Sequence, residues 1–237
     1  MRDTRQFYEA YWDWRRAHNR LNARVPERLH AALRLLGQDA AGVRRLLDVG
    51  CGEGTLGRLL AARRAAGLEL IGTDIAGGAL ELAAQHYDQV YQMNVEQERI
   101  RDHVGAQPFD AIVALEVLEH LFAPQAALEQ LRELLAPGGR IIVSFPNIAW
   151  WRYRLALLLG RFPEEHHIFD AVEHLQHFTL PSFQRLLWQS GYRVSAIDGE
   201  FLQPIGIRQL PQGARQALNR RLPNLFGYQV VLRAVPR

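Results

Sequence analysis

Lysine is absent from the 237 residues, and all 28 basic residues are arginine. Schiff-base chemistry and a lysine general base are thereby excluded. Cysteine occurs once, at Cys51, which excludes an internal disulfide and a cysteine-built zinc centre. Long apolar runs are missing too. Leu155–Leu159 is far short of a membrane span, and the opening MRDTRQFYEAYWDWRR is too polar for a secretory signal. A cytoplasmic protein without a transmembrane segment is expected. There is no internal repeat and no low-complexity tract, so repeat architectures are excluded. The net charge of +3 is a slight bias. It does not by itself imply nucleic acid, and no DNA partner is expected.

What is there is enough apolar sequence, 48%, for one α/β domain with a substantial core. Residues 4–20 read as a helix with Phe7, Tyr8, Tyr11, Trp12 and Trp14 on an aromatic face. Arg16, Arg20, Arg24 and Arg28 recur every fourth residue, as on a solvated face interrupted at Pro26. The functional alternative is a lid or a contact for an anionic substrate, so residues 1–40 are set apart as a helical extension. A second helix covers 27–36 and closes at Gly37.

From residue 44 strands and helices alternate. Strands are expected at 44–49, 68–73, 89–93, 109–115 and 140–145, with helices near 54–66, 77–86 and 124–136. The APGG segment reads as a helix stop and turn before the fifth strand. Near-continuous apolar strands between helices imply a parallel sheet covered on both faces. Residues 147–160 look helical, and 161–178 lack a period and read as a substrate loop. A helix near 181–190 leads to a strand near 192–197. An insertion at 198–224 carries a helix near 212–221, and a last strand spans 227–234.

Everything is organised around LLDVGCGEGTLG, Leu46 to Gly57: a strand, a glycine turn and a helix N-terminus. Gly50, Gly52 and Gly54 let a ligand approach bare backbone. Gly52 to Gly57 formally fits the dinucleotide pattern G-x-G-x-x-G. That match would bury Asp48 in mid-strand, where a carboxylate is expensive. If the strand ends at Val49–Gly50 instead, Asp48 lies at its edge, free to bond the turn or a cationic ligand group. Asp74, ending the second strand, is positioned for two ribose hydroxyls.

LLDVGCGEGTLGRLL, IGTDIA, FDAIVALEVLEHL and LLAPGGRIIVSFPN, in this order and spacing, resemble the class I S-adenosylmethionine (SAM) methyltransferases. The resemblance implies an α/β Rossmann-like fold, a mostly parallel seven-stranded sheet with helices on both faces, over residues 41–237. It implies SAM as methyl donor and S-adenosylhomocysteine (SAH) as product. Gly50, Cys51, Gly52 and Gly54 would border the amino-acid part of SAM, with Asp48 near its ammonium. Asp74 would bind the ribose and Ile75 the adenine. Asn94 falls where the family often places an acid on the adenine amino group, Val95 beside it belongs to the same cofactor-binding set, and Leu115 and Glu116 would line the methyl-donor cleft.

The proton-handling candidates follow the fourth strand. In EVLEH, helical spacing would put Glu116, Glu119 and His120 on one face. His166, His167, His174 and His177 lie downstream. His120 or His174 is the expected general base, with Glu116 beside them. EVLEH also resembles E-x-x-E-H in metal-dependent ubiquinone-pathway O-methyltransferases and small-RNA 2′-O-methyltransferases. There the set Glu116, Glu119, His120 and His174 would hold a divalent metal. The same letters occur in methyltransferases with no established metal, and none is expected here.

Ser144–Pro163, SFPNIAWWRYRLALLLGRFP, resembles a segment of MetW-like proteins, associated with homoserine O-acyltransferase, and segments of surface-glycan methyltransferases. Its Trp/Arg/Leu pattern fits a helix on the sheet or a peripheral membrane contact. The expected activity is methyl transfer to an oxygen of a small molecule or glycan precursor. The alternatives are a MetW-like non-catalytic partner and an RNA 2′-O-methyltransferase.

Overall fold

The computed structural model describes residues 4–18, 25–37, 42–61, 67–161 and 174–237. The segment expected to carry His166 and His167, and positions Arg20 and Arg24, lie outside them. Seven strands form one sheet: β1 (Arg45–Val49), β2 (Glu69–Asp74), β3 (Gln89–Gln92), β4 (Phe109–Leu115), β5 (Leu135–Pro146), β6 (Tyr192–Phe201) and β7 (Gly227–Pro236). The order is β3-β2-β1-β4-β5-β7-β6. The first five strands are parallel, and β7 runs antiparallel between β5 and β6. The chain leaves β1 toward β2 and β3 and then crosses back to β4. A switch point therefore opens between the carboxyl ends of β1 and β4, where open α/β sheets take their ligands.

The central strands β1, β2 and β4 are buried almost throughout because each face of the sheet has its own core. Leu46, Ala111, Val113 and Ile142 point into a layer with α2 (Glu27–Leu36), α3 (Thr55–Ala61) and α4 (Gly77–Ala83). Leu47, Val49, Ile112, Ala114 and Val143 point to the other face. There they meet α5 (Ile100–Val104), α6 (Pro124–Glu133) and α8 (Leu180–Gln189). Neighbours alternate between the two layers because strand side chains alternate faces. The helix ends follow local chemistry. α2 begins after the extended Pro26 and stops at Gly37, φ 98°. α8 begins with a capping box between Thr179 and Ser182. Within residues 1–40, α2 is part of the core, whereas α1 (Thr4–Ala17) has no buried residue.

Several boundaries differ from the sequence expectation. β5 begins at Leu135, not Arg140, because Leu135 pairs with Phe109 and draws the APGG segment into the strand. α7 (Trp151–Leu158) starts later than residue 147, since Asn147 bridges to Phe178 and its side chain bonds Gly227 and Asn224 carbonyls. β6 continues to Phe201, which moves the start of the insertion. The insertion folds as α9 (Ile205–Arg208), α10 (Gln212–Arg221) and α11 (Pro223–Phe226). β3 is half-exposed rather than covered, being the sheet edge. Among the described residues no helix is long and apolar enough to cross a membrane.

Candidate functional site

The glycine turn continues β1 and is fastened to β2. The Gly50 and Cys51 amides both donate to the Thr73 carbonyl, at 2.7 and 3.0 Å. Gly50, Gly52 and Gly54 have φ of 70°, 54° and 81°, which favours glycine. At Gly50 a Cβ would also come within 2.5 Å of Val117 Cγ2, and at Gly54 within 2.7 Å of Ala83 Cα. The turn is thus both twisted and crowded. Cys51 is packing: burial, with Asp48 and Asp74 beside it, pushes its thiol far up, so it stays protonated.

Asp74 closes β2 and faces the turn. Its two oxygens accept from the Gly52 amide (2.8 Å) and the Ala76 amide (2.9 Å). Burial raises its pKa, and those amides oppose the rise. The Ile75 carbonyl accepts from Gln92 Nε2 at 3.1 Å. Asn94 is half-buried and its side-chain oxygen is used in its own turn. Its Oδ1 accepts from the Glu96 amide (3.0 Å), and its own amide donates to Glu98. Val95 is half-buried against the core, as is Leu115 on the opposite layer.

Asp48 is not at an open edge. It is 4% exposed, beneath the turn, and accepts a hydrogen bond from the Tyr87 hydroxyl. Tyr87 in turn accepts from the Gly57 amide at 3.1 Å. Gly57 is needed there because the Tyr87 ring occupies the place of its Cβ. The glycine that completed the formal dinucleotide pattern therefore serves Tyr87, not a phosphate. Burial pushes Asp48 up to about 7, partly offset by the Tyr87 bond, and Asp74 raises it further.

The second half of the site follows β4. Glu116 is the one non-glycine residue with positive φ (56°) among the described residues. That conformation swings its side chain toward β5 and β7. Its oxygens accept from Ser144 Oγ (2.8 Å) and Gln229 Nε2 (3.1 Å). The helix expected for EVLEH is only a single 3₁₀ turn, Leu118–His120. Glu116 is therefore parted from the face it was expected to share. Glu119, His120 and His174 are brought together instead, with donor atoms within 4.8 Å of one another. The His120 and His174 rings lie 4.8 Å apart. The Glu119 carbonyl accepts from Leu175 and Gln176 amides (2.8 and 2.9 Å), and this fastens the His174 segment to the β4 loop.

Glu119 is wholly buried, and among the described residues neither carboxylate oxygen has a hydrogen-bond partner. Burial, then the charge of Glu116, drives its pKa far above the usual carboxylate range, and Arg28 opposes this. A buried carboxyl without a donor stays protonated or holds a cation. One carboxylate and two imidazoles suit a divalent ion. His177 is pushed down by burial and by His174.

An aromatic wall borders this half. Trp150 and Trp151 both donate to the Leu202 carbonyl (2.9 and 2.7 Å) and pack with Tyr153 and Tyr228. Sequence reasoning missed Tyr87, Ser144 and Gln229 as site residues. Their partners are 28 to 113 positions away, and no local pattern announces them.

Comparison with known proteins gives a consistent result. Residues 14–197 match the family described as a methyltransferase domain. The ubiquinone biosynthesis O-methyltransferase of Xylella fastidiosa (strain 9a5c) is 33% identical over 155 residues, 64% of this chain and 61% of that protein. The protein of the same name from Azorhizobium caulinodans is 28% identical over 211 residues, 82% of this chain and 80% of its own. The fold matches that of magnesium protoporphyrin IX methyltransferase from Synechocystis PCC 6803, solved with bound SAH. The TM-score is 0.65 at 18% identity, and 98% of both chains is covered.

Proposed function

The chain belongs to the methyltransferase-domain family, and on that premise we propose that it transfers a methyl group from SAM to an oxygen of a small molecule. The observation that carries the cofactor is the joint geometry of turn and Asp74. Bare backbone at Gly50 and Gly52 lies beside a carboxylate held by two amides, at the switch point of the sheet. These residues fit SAM. Asp74 retains lone pairs for ribose hydroxyls, and Ile75 lies next to it for the adenine. Asn94 is committed to its own turn, which leaves Val95 and Gln92 at that end of the site. When bound, SAM supplies an electrophilic methyl group on a sulfonium.

The chain's own residues do the rest. His120 and His174 flank the place where an acceptor hydroxyl must lose its proton, and an imidazole is suited to take it near neutral pH. Glu116, fixed by Ser144 and Gln229, holds that side of the cleft open. The aromatic wall excludes water and positions the acceptor. The names of the relatives support O-methylation. The comparisons give the MetW-like reading no support, and the glycan acceptor rests on the SFPN segment alone. Leu155, Leu157, Leu158 and Leu159 are exposed at the end of α7 and favour an acceptor with an apolar part, or one met at a membrane surface.

A second reading is favoured by the Glu119 carboxylate, whose oxygens have no hydrogen-bond partner among the described residues. With His120 and His174 it would hold a divalent metal, which would acidify the acceptor hydroxyl. Isothermal titration with SAH tests the cofactor, and methyl transfer assayed with and without EDTA tests the metal. We expect metal-independent SAH binding that Asp74→Ala weakens by about tenfold or more. No binding at millimolar SAH, or Asp74→Ala binding as tightly as wild type, refutes the cofactor reading. Full activity in EDTA refutes the metal.

A further inference from the structure

One helix that buries none of its residues lies across the loops that follow the first four strands. The α1 side chains at positions 5, 8, 9, 12 and 16 fall on one face. Arg5 pairs with Glu98 beyond β3 at 3.5 Å. Glu9 accepts from the Gly77 and Gly78 amides (2.7 and 3.2 Å) and from Gln92 Nε2 (3.1 Å). Arg16 donates to the Gly78 carbonyl at 2.7 Å. The Trp12 ring lies against Gly52, where a Cβ would be 2.8 Å from its Cζ2. Tyr8 sets its ring perpendicular to that of His120, centroids 6.0 Å apart. One face of α1 therefore touches the loops after β1, β2, β3 and β4.

The placement and the kind of contact together carry the inference. Trp12 covers the bare backbone at which a ligand approaches the turn. Yet α1 is held by hydrogen bonds and by ion pairs at the surface, and no apolar side chain of it is buried. Such contacts form and break readily, whereas a helix meant to stay would bury an apolar stripe. We propose that α1 is a reversible cap on the cofactor cleft. Trp12 must leave Gly52 for the cofactor to enter and for the product to depart, and Glu9 and Arg16 are the catch. Closed, the cap joins the cofactor side at Gly52 to the acceptor side at His120 and excludes water from both. Product release is then gated by α1. The proposal rests on the cofactor reading above.

Stopped-flow binding of SAH to the full chain tests it, using wild type, Trp12→Ala and Arg16→Ala. Arg16 is exposed and bonds the Gly78 carbonyl and Glu81 on the α4 side, so its loss loosens the catch while leaving Trp12 against Gly52 in place. A gate and a wall differ kinetically. Loosening a gate raises association and dissociation rates together, and we expect both to rise about tenfold in each variant. Trimming a wall raises dissociation alone, and that result in Trp12→Ala would overturn the cap. Unchanged rates in both variants would overturn it as well. Absence of SAH binding to wild type would instead remove the cofactor reading, and the cap with it.

Discussion

Replacing Tyr87 by phenylalanine should change how stability depends on pH. Asp48 is 4% exposed and bonded to the Tyr87 hydroxyl, and its pKa in the folded chain is about 7 against 3.8 unfolded. The folded state therefore holds this proton more tightly than the unfolded state. The stability linked to it is fully present below pH 3.8, falls as pH rises, and has gone once pH passes about 7. A gap of about three units corresponds to about 4 kcal/mol as an upper bound. The Tyr87 bond limits the cost by stabilising the ionised form. Tyr87→Phe removes that bond and also frees the Gly57 amide. Loss of the amide's partner costs about 1 kcal/mol at any pH, but loss of the bond to an ionised carboxylate costs about 1.5–3 kcal/mol only where Asp48 is ionised. The difference between wild type and Tyr87→Phe should therefore widen by about 1 kcal/mol or more between pH 5 and pH 8. Urea unfolding followed by tryptophan fluorescence at both pH values measures it. Parallel stability curves for the two proteins would refute the reasoning. Asp48→Asn is the complement: it should remove the fall and be more stable than wild type at pH 8.

Other outcomes follow from the same geometry. Glu119→Gln should stabilise the metal-free chain at pH 8, because it replaces a buried acid whose ionisation is costly; urea midpoints at pH 5 and 8 report this. In the same variant, loss of activity together with loss of divalent-ion binding would support the metal reading. His120→Ala and His174→Ala should each lower kcat by about 10²-fold or more with little change in SAH affinity, if either imidazole takes the proton; unchanged kcat in both excludes them. Gly54→Ala should destabilise by about 1–3 kcal/mol, since φ is 81° and Ala83 Cα blocks the added methyl; a thermal midpoint within 1 °C of wild type would contradict this.

Much of the fold was legible because its signals are local. The largely apolar strands β1 and β2, the glycine turn and the Pro26/Gly37 boundaries of α2 are each specified within a few positions. The blocks around Gly50, Asp74, Glu116 and Ser144 pointed to the right family. Where the reading slipped, a distant partner overrode a local rule. APGG carries turn chemistry, yet Leu135 pairs with Phe109 and the segment extends a strand. EVLEH has helical spacing, yet Ser144 and Gln229 draw Glu116 away through a left-handed backbone. A carboxylate is costly to bury, yet Asp48 is buried because Tyr87 is supplied from 39 positions away.

The sequence by itself determined the layers, the strand–turn–helix around Gly50 and the acid at the end of β2. These depend on periodicity and on residues that only certain backbone conformations accept. Tertiary structure alone decided what the polar side chains do. It sank Asp48 onto Tyr87, drew Glu116 to Ser144 and Gln229, and gathered Glu119, His120 and His174. It also laid Trp12 over Gly52. The physical reason is one of range. Apolar burial and backbone freedom are read from neighbours in the chain, whereas a hydrogen bond or a buried charge depends on which loop the fold brings within about 3 Å.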